Sequence, residues 1–316
     1  MQSKKIEIII NTSEITAGTR GASLGPGAIM TAARKNYNPF FGNYKVLEVP
    51  NQNAQLDQTS ETKYAKNIAQ YALVFNDVKA CVAAVLQASN MPLILAGDHG
   101  SAAGTIAGIK HVYPTKRLGV VWIDAHADLH SPYTTPSGNM HGMPLNITLG
   151  DDNLACKRNE PTEMEIKLWN SLKSNDTPRV LASDLVFVGV RDTEDEEDYL
   201  IHSKKITSHT VEDVRKNGAD KIVELIETQL EACDLIYVSF DVDSMDPDIT
   251  SYGTGTPVKQ GITPEEANTL LTKLASNPKT CCVEFVEVNP CLDNKINTMA
   301  ETAFALVENV AKSIQS

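Results

Sequence analysis

The sequence lacks any CxxC spacing among its six cysteines (Cys81, Cys156, Cys233, Cys281, Cys282 and Cys291). Thiolate-held structural zinc is therefore not expected, and reduced thiols in a cytoplasmic protein are. Cys281 and Cys282 are adjacent in an apparent strand, where successive side chains face opposite sides. Surplus positive charge is missing as well: 28 Lys and Arg stand against 40 Asp and Glu, a net charge of −12. That balance excludes a basic nucleic-acid-binding surface. A long hydrophobic run is absent from the N-terminal segment MQSKKIEIII, whose apolar stretch of five residues leads into polar NTSE. It is too short for a secretion signal and far too short to span a bilayer. No internal repeat and no low-complexity linker divides the chain, so one domain over residues 1–316 is expected. The polar segment 150–180 reads as a long surface excursion within it.

What is present is alternation. Short apolar runs rich in β-branched residues predict strands at IEIII (6–10), YKVLEV (44–49), PLILA (92–96), LGVVWI (118–123), DLVFVGV (184–190), LIYVSF (235–240) and CVEFVEV (282–288). Helical patterns lie between or after them, at roughly 64–88, 101–111, 212–232, 264–275 and 299–314. In the first, Ile68, Tyr71, Ala72, Phe75, Val78, Val82 and Val85 recur at helical spacing; in the last, Ala303, Leu306, Val310 and Ile314 do. Strands of near-continuous hydrophobicity alternating with helices predict an α/β fold. The expected form is a three-layer αβα arrangement around an open, doubly wound, mostly parallel sheet.

In such sheets the ligand crevice lies outside the carboxyl ends of the strands. PLILA runs into GDHG and His99. LGVVWI runs into DAHADLH, with Asp124, His126, Asp128 and His130. LIYVSF runs into DVDSMDP, with Asp241 and Asp243, and CVEFVEV ends on Glu287. Four strands thus deliver carboxylates and imidazoles to one edge. Isolated cases have plainer readings: Asp98 as a turn or helix-cap residue, and His111, His202 and His209 as surface or satisfied histidines. The cluster does not. Four carboxylates converging without cations would repel one another and resist ionising. No Lys or Arg lies in 118–130 or 235–247 to neutralise them.

Charge counting sets the number of ions. Asp124, Asp128, Asp241 and Asp243 balance two divalent cations, while His99 and His126 bind as neutral imidazoles. A carboxylate-rich set with a minority of imidazole suits Mn²⁺, with Fe²⁺, Co²⁺ or Ni²⁺ as competitors. Two ions about 3.5–4 Å apart lower the pKa of a water between them. The expected chemistry is hydrolysis by a metal-bridging hydroxide.

The motifs GDHG, DAHADLHSPYTTPSGNMHGMPL, SFDVDSMDP followed by TGTP, and EVNP resemble the ureohydrolases and, within them, the arginase family. The resemblance runs from GTRGASLGPG (18–27) to EVNP and covers nearly the whole chain. SGNMHGMPL is the part that looks like arginase rather than agmatinase. The resemblance implies a binuclear manganese site in which Asp124 and Asp241 bridge, His99 and Asp128 complete one ion, and His126 and Asp243 complete the other. It implies His141 as proton shuttle and Glu287 as the carboxylate orienting the guanidinium, with Thr256 beside it. Ser137 and Asn139 would read the α-carboxylate and α-amino end of the substrate.

His130 stands where the family usually has Asn, Glu194 of RDTEDEE (191–197) where it has Asp, and GDHG replaces GDHS. L-arginine, hydrolysed to L-ornithine and urea, is the implied substrate. Agmatine, a guanidino acid or formiminoglutamate are the alternatives, and an inactive metal-binding regulatory paralogue is the alternative of another class. The family's habit of forming trimers or hexamers implies a homotrimer or homohexamer.

Overall fold

In the computed structural model, which describes residues 5–173 and 177–315, the apolar runs become strands, the six inner ones buried on both faces and the two edge ones largely not. The strands are β1 (Ile6–Asn11), β2 (Lys45–Val49), β3 (Met91–Ala96), β4 (Leu118–Ile123), β5 (Leu185–Val188), β6 (Thr207–His209), β7 (Leu235–Asp241) and β8 (Thr280–Val286). Residues 1–4, part of the N-terminal segment read above, and 174–176, within the polar stretch 150–180, lie outside the described residues. So does residue 316.

The strands form one sheet, ordered β2-β1-β3-β8-β7-β4-β5-β6, and every pairing is parallel. Parallel pairing puts all carboxyl ends on one edge. The site-bearing strands β3, β8, β7 and β4 are consecutive neighbours at the centre. The expected αβα architecture is the one observed.

Ten α-helices are present among the described residues: α1 (Gly25–Lys35), α2 (Ile68–Gln87), α3 (Ser101–Val112), α4 (Pro144–Leu149), α5 (Glu163–Leu172), α6 (Asp195–Lys204), α7 (Val211–Asn217), α8 (Ala219–Gln229), α9 (Pro264–Ser276) and α10 (Thr298–Gln315). They cover both faces. One hydrophobic cluster joins the sheet to α1, α8, α9 and α10, and the other joins it to α2, α3, α4 and α5. By length and composition alone α2 is apolar enough to cross a bilayer. Its Ile68, Tyr71, Val78 and Val82 are instead buried in the second cluster.

Several expectations change. The helix expected at 212–232 is two helices, because Gly218 turns the backbone to φ +83° between them. The polar excursion holds α5, started by a capping box in which Thr162 and Glu165 satisfy each other's backbone N–H. Cys281 and Cys282 do not face opposite sides. The register with β7 slips between Ile236 and Tyr237, opposite Thr280 and Cys282, and both thiols pack in the same cluster.

Candidate metal centre

Each ligand sits just past a strand end, so the sheet fixes where it begins and the loop decides where it points. β3 ends at Ala96, and the following loop carries His99 before α3 begins. The imidazole stacks on Trp122 of β4 at 3.9 Å with planes 5° apart. Its Nε2 lies 2.8 Å from Ser239 Oγ, on β7. Held on both sides, the ring aims Nδ1 at three carboxylates: Asp124 Oδ2 at 3.0 Å, Asp128 Oδ2 at 3.2 Å and Asp241 Oδ2 at 3.2 Å.

The second group repeats the arrangement. His126 Nδ1 lies 3.1 Å from Asp243 Oδ2 and 3.4 Å from Asp124 Oδ1. Two carboxylates are fixed through backbone N–H groups. His126 N donates to Asp124 Oδ1 (2.7 Å) and Asp243 N donates to Asp241 Oδ1 (2.8 Å). Asp124, Asp128, Asp241 and Asp243 are all buried.

The donor set fits a pair of divalent ions. His99 Nδ1 and Asp124 Oδ2 are buried and make no hydrogen bond among the described residues, although they are in contact. One imidazole nitrogen meeting three carboxylate oxygens at about 3 Å is an arrangement in which all four atoms can ligate one cation. The titration of the carboxyls says the same. Burial pushes Asp241 well up, and Asp243 and Asp124 push it further; burial and Asp124 likewise raise Asp128. Negative charge is crowded there, and the only described side chains facing it are the imidazoles His99 and His126, which pull the Asp124 carboxyl down.

Two residues reach this edge through left-handed backbone, Asp128 at φ +51° and Glu287 at φ +67°. Such a conformation costs a non-glycine residue about 1–3 kcal/mol and persists only where surroundings enforce it. For Glu287 the enforcement is visible. Its N–H donates to Gly97 O (3.2 Å) and its Oε1 accepts from His99 N (2.9 Å). Glu287 Oε1 is also 3.4 Å from His141 Nδ1. Burial lowers the His141 pKa, but Glu287 outweighs it and the net shift is upward.

The rim is assembled from loops. His130, Ser137, Asn139, His141, Glu194 and Thr256 line one cleft of about 580 Å³ together with the metal-facing histidines and aspartates. Thr256 Oγ1 donates to Asp243 Oδ2 (3.1 Å). Asn139 N donates to Ser137 Oγ (3.1 Å), and Lys66 Nζ donates to Asn139 Oδ1 (3.1 Å). Gly18 lets the N-terminal loop lie directly on this strip, since a Cβ there would come 2.6 Å from Asn139 Nδ2. Every residue expected at the site reaches the cleft or its floor.

His130 and Glu194, two of the three departures from the family pattern read from the sequence, hold each other. His130 Nε2 is 2.9 Å from Glu194 Oε2, and its Nδ1 is 3.2 Å from Thr134 Oγ1. The bond to His130 lowers the Glu194 carboxyl to about 2. Sequence reasoning assigned no role to Glu197, which accepts from Leu129 N (3.0 Å) and lies 3.7 Å from His130 Nε2. Burial pushes its carboxyl up to about 8. Its signal in the sequence was its place three residues after Glu194, completing a capping box on α6.

Two other expectations differ in outcome. Asp98 is no helix cap. Its carboxylate accepts from Thr16 N (2.9 Å), and Thr16 O in turn accepts from His141 N (3.3 Å), so it ties the N-terminal loop to the cleft. His111 and His202 are exposed, as expected; His209 is half-buried with a buried Nε2 that has no hydrogen bond among the described residues, so it is neither a surface nor a satisfied histidine, and all three lie outside the cleft lining.

Comparison with known proteins gives the same direction throughout. The arginase family model matches residues 5–312. An arginase from Brevibacillus brevis is 33% identical over 315 residues, covering 97% of each chain. The solved arginase from Bacillus caldovelox superposes with a TM-score of 0.82 at 31% identity, over 97% of this chain and 98% of that one. The Entamoeba histolytica arginase, solved in complex with L-ornithine, superposes with a TM-score of 0.81 at 27% identity over 99% of both chains.

Proposed function

Since the chain belongs to the arginase family, we propose that it hydrolyses L-arginine to L-ornithine and urea over two divalent cations, Mn²⁺ in the cell, with Fe²⁺, Co²⁺ or Ni²⁺ as substitutes. The observation that carries this reading is the pair of His/Asp groups sharing Asp124 at the centre of the parallel edge. His99, Asp124, Asp128 and Asp241 would hold one ion, and His126 and Asp243, with Asp124 and Asp241, would hold the other. Such a pair, when bound, supplies an activated water for hydrolysis and a Lewis acid beside it.

The chain's own residues do the rest. A guanidinium is planar and cationic, so Glu287 pairs with it and sets its carbon over the floor. Thr256 steadies Asp243 beneath it. Attack by water oxygen forms one C–O bond; the C–N bond to the ornithine side chain then breaks, and that nitrogen leaves as an amine needing a proton. His141 relays it, suited by the upward shift that Glu287 gives it. At the rim, Ser137 and Asn139 bind the α-carboxylate and α-amino end. Glu194 attracts the α-ammonium and His130 the α-carboxylate, each exchanging its partner in the free enzyme for one end of the zwitterion. The chain acts as one catalytic domain, in a cytoplasmic homotrimer or homohexamer.

The test is urea release from L-arginine and from agmatine in parallel, after incubation with Mn²⁺ and again after EDTA. Urea from arginine alone, abolished by chelation, is expected. Metal-dependent release from agmatine instead would move the chain to a sister ureohydrolase activity, the reading that His130 and Glu194 favour. No urea from either, with two metals bound, would defeat the substrate assignment, and a guanidino acid or formiminoglutamate would be tried next.

A further inference from the structure

The other end of α3 carries a second charged concavity. α3 starts two residues after His99 and ends with Lys110 and His111 in its last turn, a helix length from the metal ligands. Gly108 lets α2 approach there, since a Cβ on it would come 2.8 Å from the carbonyl oxygen of Lys79. That approach brings Lys79 to the same end. Arg179 arrives from the connection between α5 and β5. Its N–H donates to Thr148 O (2.9 Å), and its guanidinium lies 5.6 Å from the ring centroid of Phe75, one turn before Lys79 on α2.

Lys79, Lys110, His111 and Arg179 line a single cavity of about 690 Å³ with Thr177 and three apolar residues, and no lining residue is acidic. Among the described residues, Lys79, Lys110 and Arg179 enter no ion pair. Two lysines and an arginine around one hollow, beside a histidine and with no carboxylate among the described lining residues, is not what a net charge of −12 would scatter at random.

Donors remain for a ligand. Lys110 Nζ donates to Pro114 O (3.1 Å) and Lys116 O (2.5 Å), leaving one of its three N–H groups. Arg179 spends only Nη1, on Ile147 O at 3.4 Å. Burial, with no facing carboxylate to offset it, brings the Arg179 guanidinium down to about 10. The plain alternative is that Lys110 and His111 complement the α3 macrodipole. That accounts for Lys110 and its neighbour His111 and leaves Lys79 and Arg179, from other elements, without a reason to converge.

We propose that this cavity binds a small multiply charged oxyanion of the phosphate class, free or as a phosphate monoester, through Lys79, Lys110 and Arg179. The Thr177 hydroxyl adds a neutral donor and the exposed His111 closes one side. The site is independent of the arginase reading and stands or falls without it.

The test is calorimetric titration of the metal-loaded full chain with inorganic phosphate at constant ionic strength, with chloride and phenyl phosphate in parallel. Saturable phosphate binding is expected in the parent chain. Lys79→Glu, at a side chain with no ion pair to lose among the described residues, should weaken it at least roughly tenfold, the loss of one charge-assisted hydrogen bond. Arg179→Gln should do the same; should that variant fail to fold, Lys79→Glu decides alone. Tighter binding of the ester or of the free ion would support the site and name its source. Equal phosphate affinity in the parent and Lys79→Glu, or heat that chloride reproduces (an adventitious ion only), would overturn the proposal.

Discussion

The floor of the cleft and its rim face the same space but are anchored differently. On the floor, His99 is locked between Trp122 and Ser239, and the carboxylates of Asp124 and Asp241 accept N–H bonds from residues two positions on. Neighbouring strands fix these positions, so the floor tolerates little movement. On the rim, Ser137, Glu194 and Thr256 are exposed, and the main fixed contact is one pair, His130 with Glu194. A rigid floor suits chemistry that needs ions and nucleophile in one place. A rim on loops and a helix start can change its substrate contacts without disturbing the metals. His130 and Glu194, read from the sequence as departures from the family pattern, both lie on the rim, while the six residues proposed as metal ligands lie on the floor.

That contrast can be broken by substitution. Asp124→Ala removes the carboxylate shared by both groups. It should lower metal affinity by more than the roughly 10- to 100-fold typical of losing an outer-shell partner, and arginine hydrolysis should fall with it; metal analysis beside a urea assay would read both. His141→Asn should lower kcat by about 10²–10⁴-fold, the usual worth of a placed proton donor, with metal content unchanged. Loss of metal in that variant would mean that His141 belongs to the floor. His130→Ala should raise KM for arginine roughly tenfold and leave kcat within a few-fold, because only the rim is touched; steady-state kinetics with arginine would settle it.

The smallest effect lies outside the cleft. Burial lowers the His209 pKa, and its Nε2 is buried without a hydrogen bond among the described residues. A histidine with a depressed folded pKa favours the unfolded chain once pH falls below its unfolded value, about 6.5. As pH falls from 7.5 to 5.5, metal-free His209→Gln should therefore gain stability relative to the metal-free parent. Equal urea midpoints shifts in the two would refute it.

The same contrast explains what was legible beforehand. The floor could be read because each ligand follows an apolar strand and alternation within DAHAD and DVD puts acids on one side. The strand at 207–209 was missed because TSH is three residues long and polar, and its place depends on pairing with β5. α6, DEEDYLIHSK, has no apolar stripe; its start is set by the Glu194–Glu197 capping box, a signal visible only once a helix is suspected. Asp98 looked like a cap because most acids at strand ends are. Its partner, Thr16, is 82 residues away, beyond any local pattern. The slip in register that turns Cys281 and Cys282 to the same side is likewise a property of pairing with β7, not of β8 alone.

The division between floor and rim is tested most directly by counting metal ions in the parent chain and in His130→Asn/Glu194→Asp, which restores the usual family residues. Two ions per chain in both, with arginine kinetics altered only in the double variant, is the predicted result. A third ion in the parent, lost in the double variant, would contradict it and make His130, Glu194 and Glu197 ligands rather than rim.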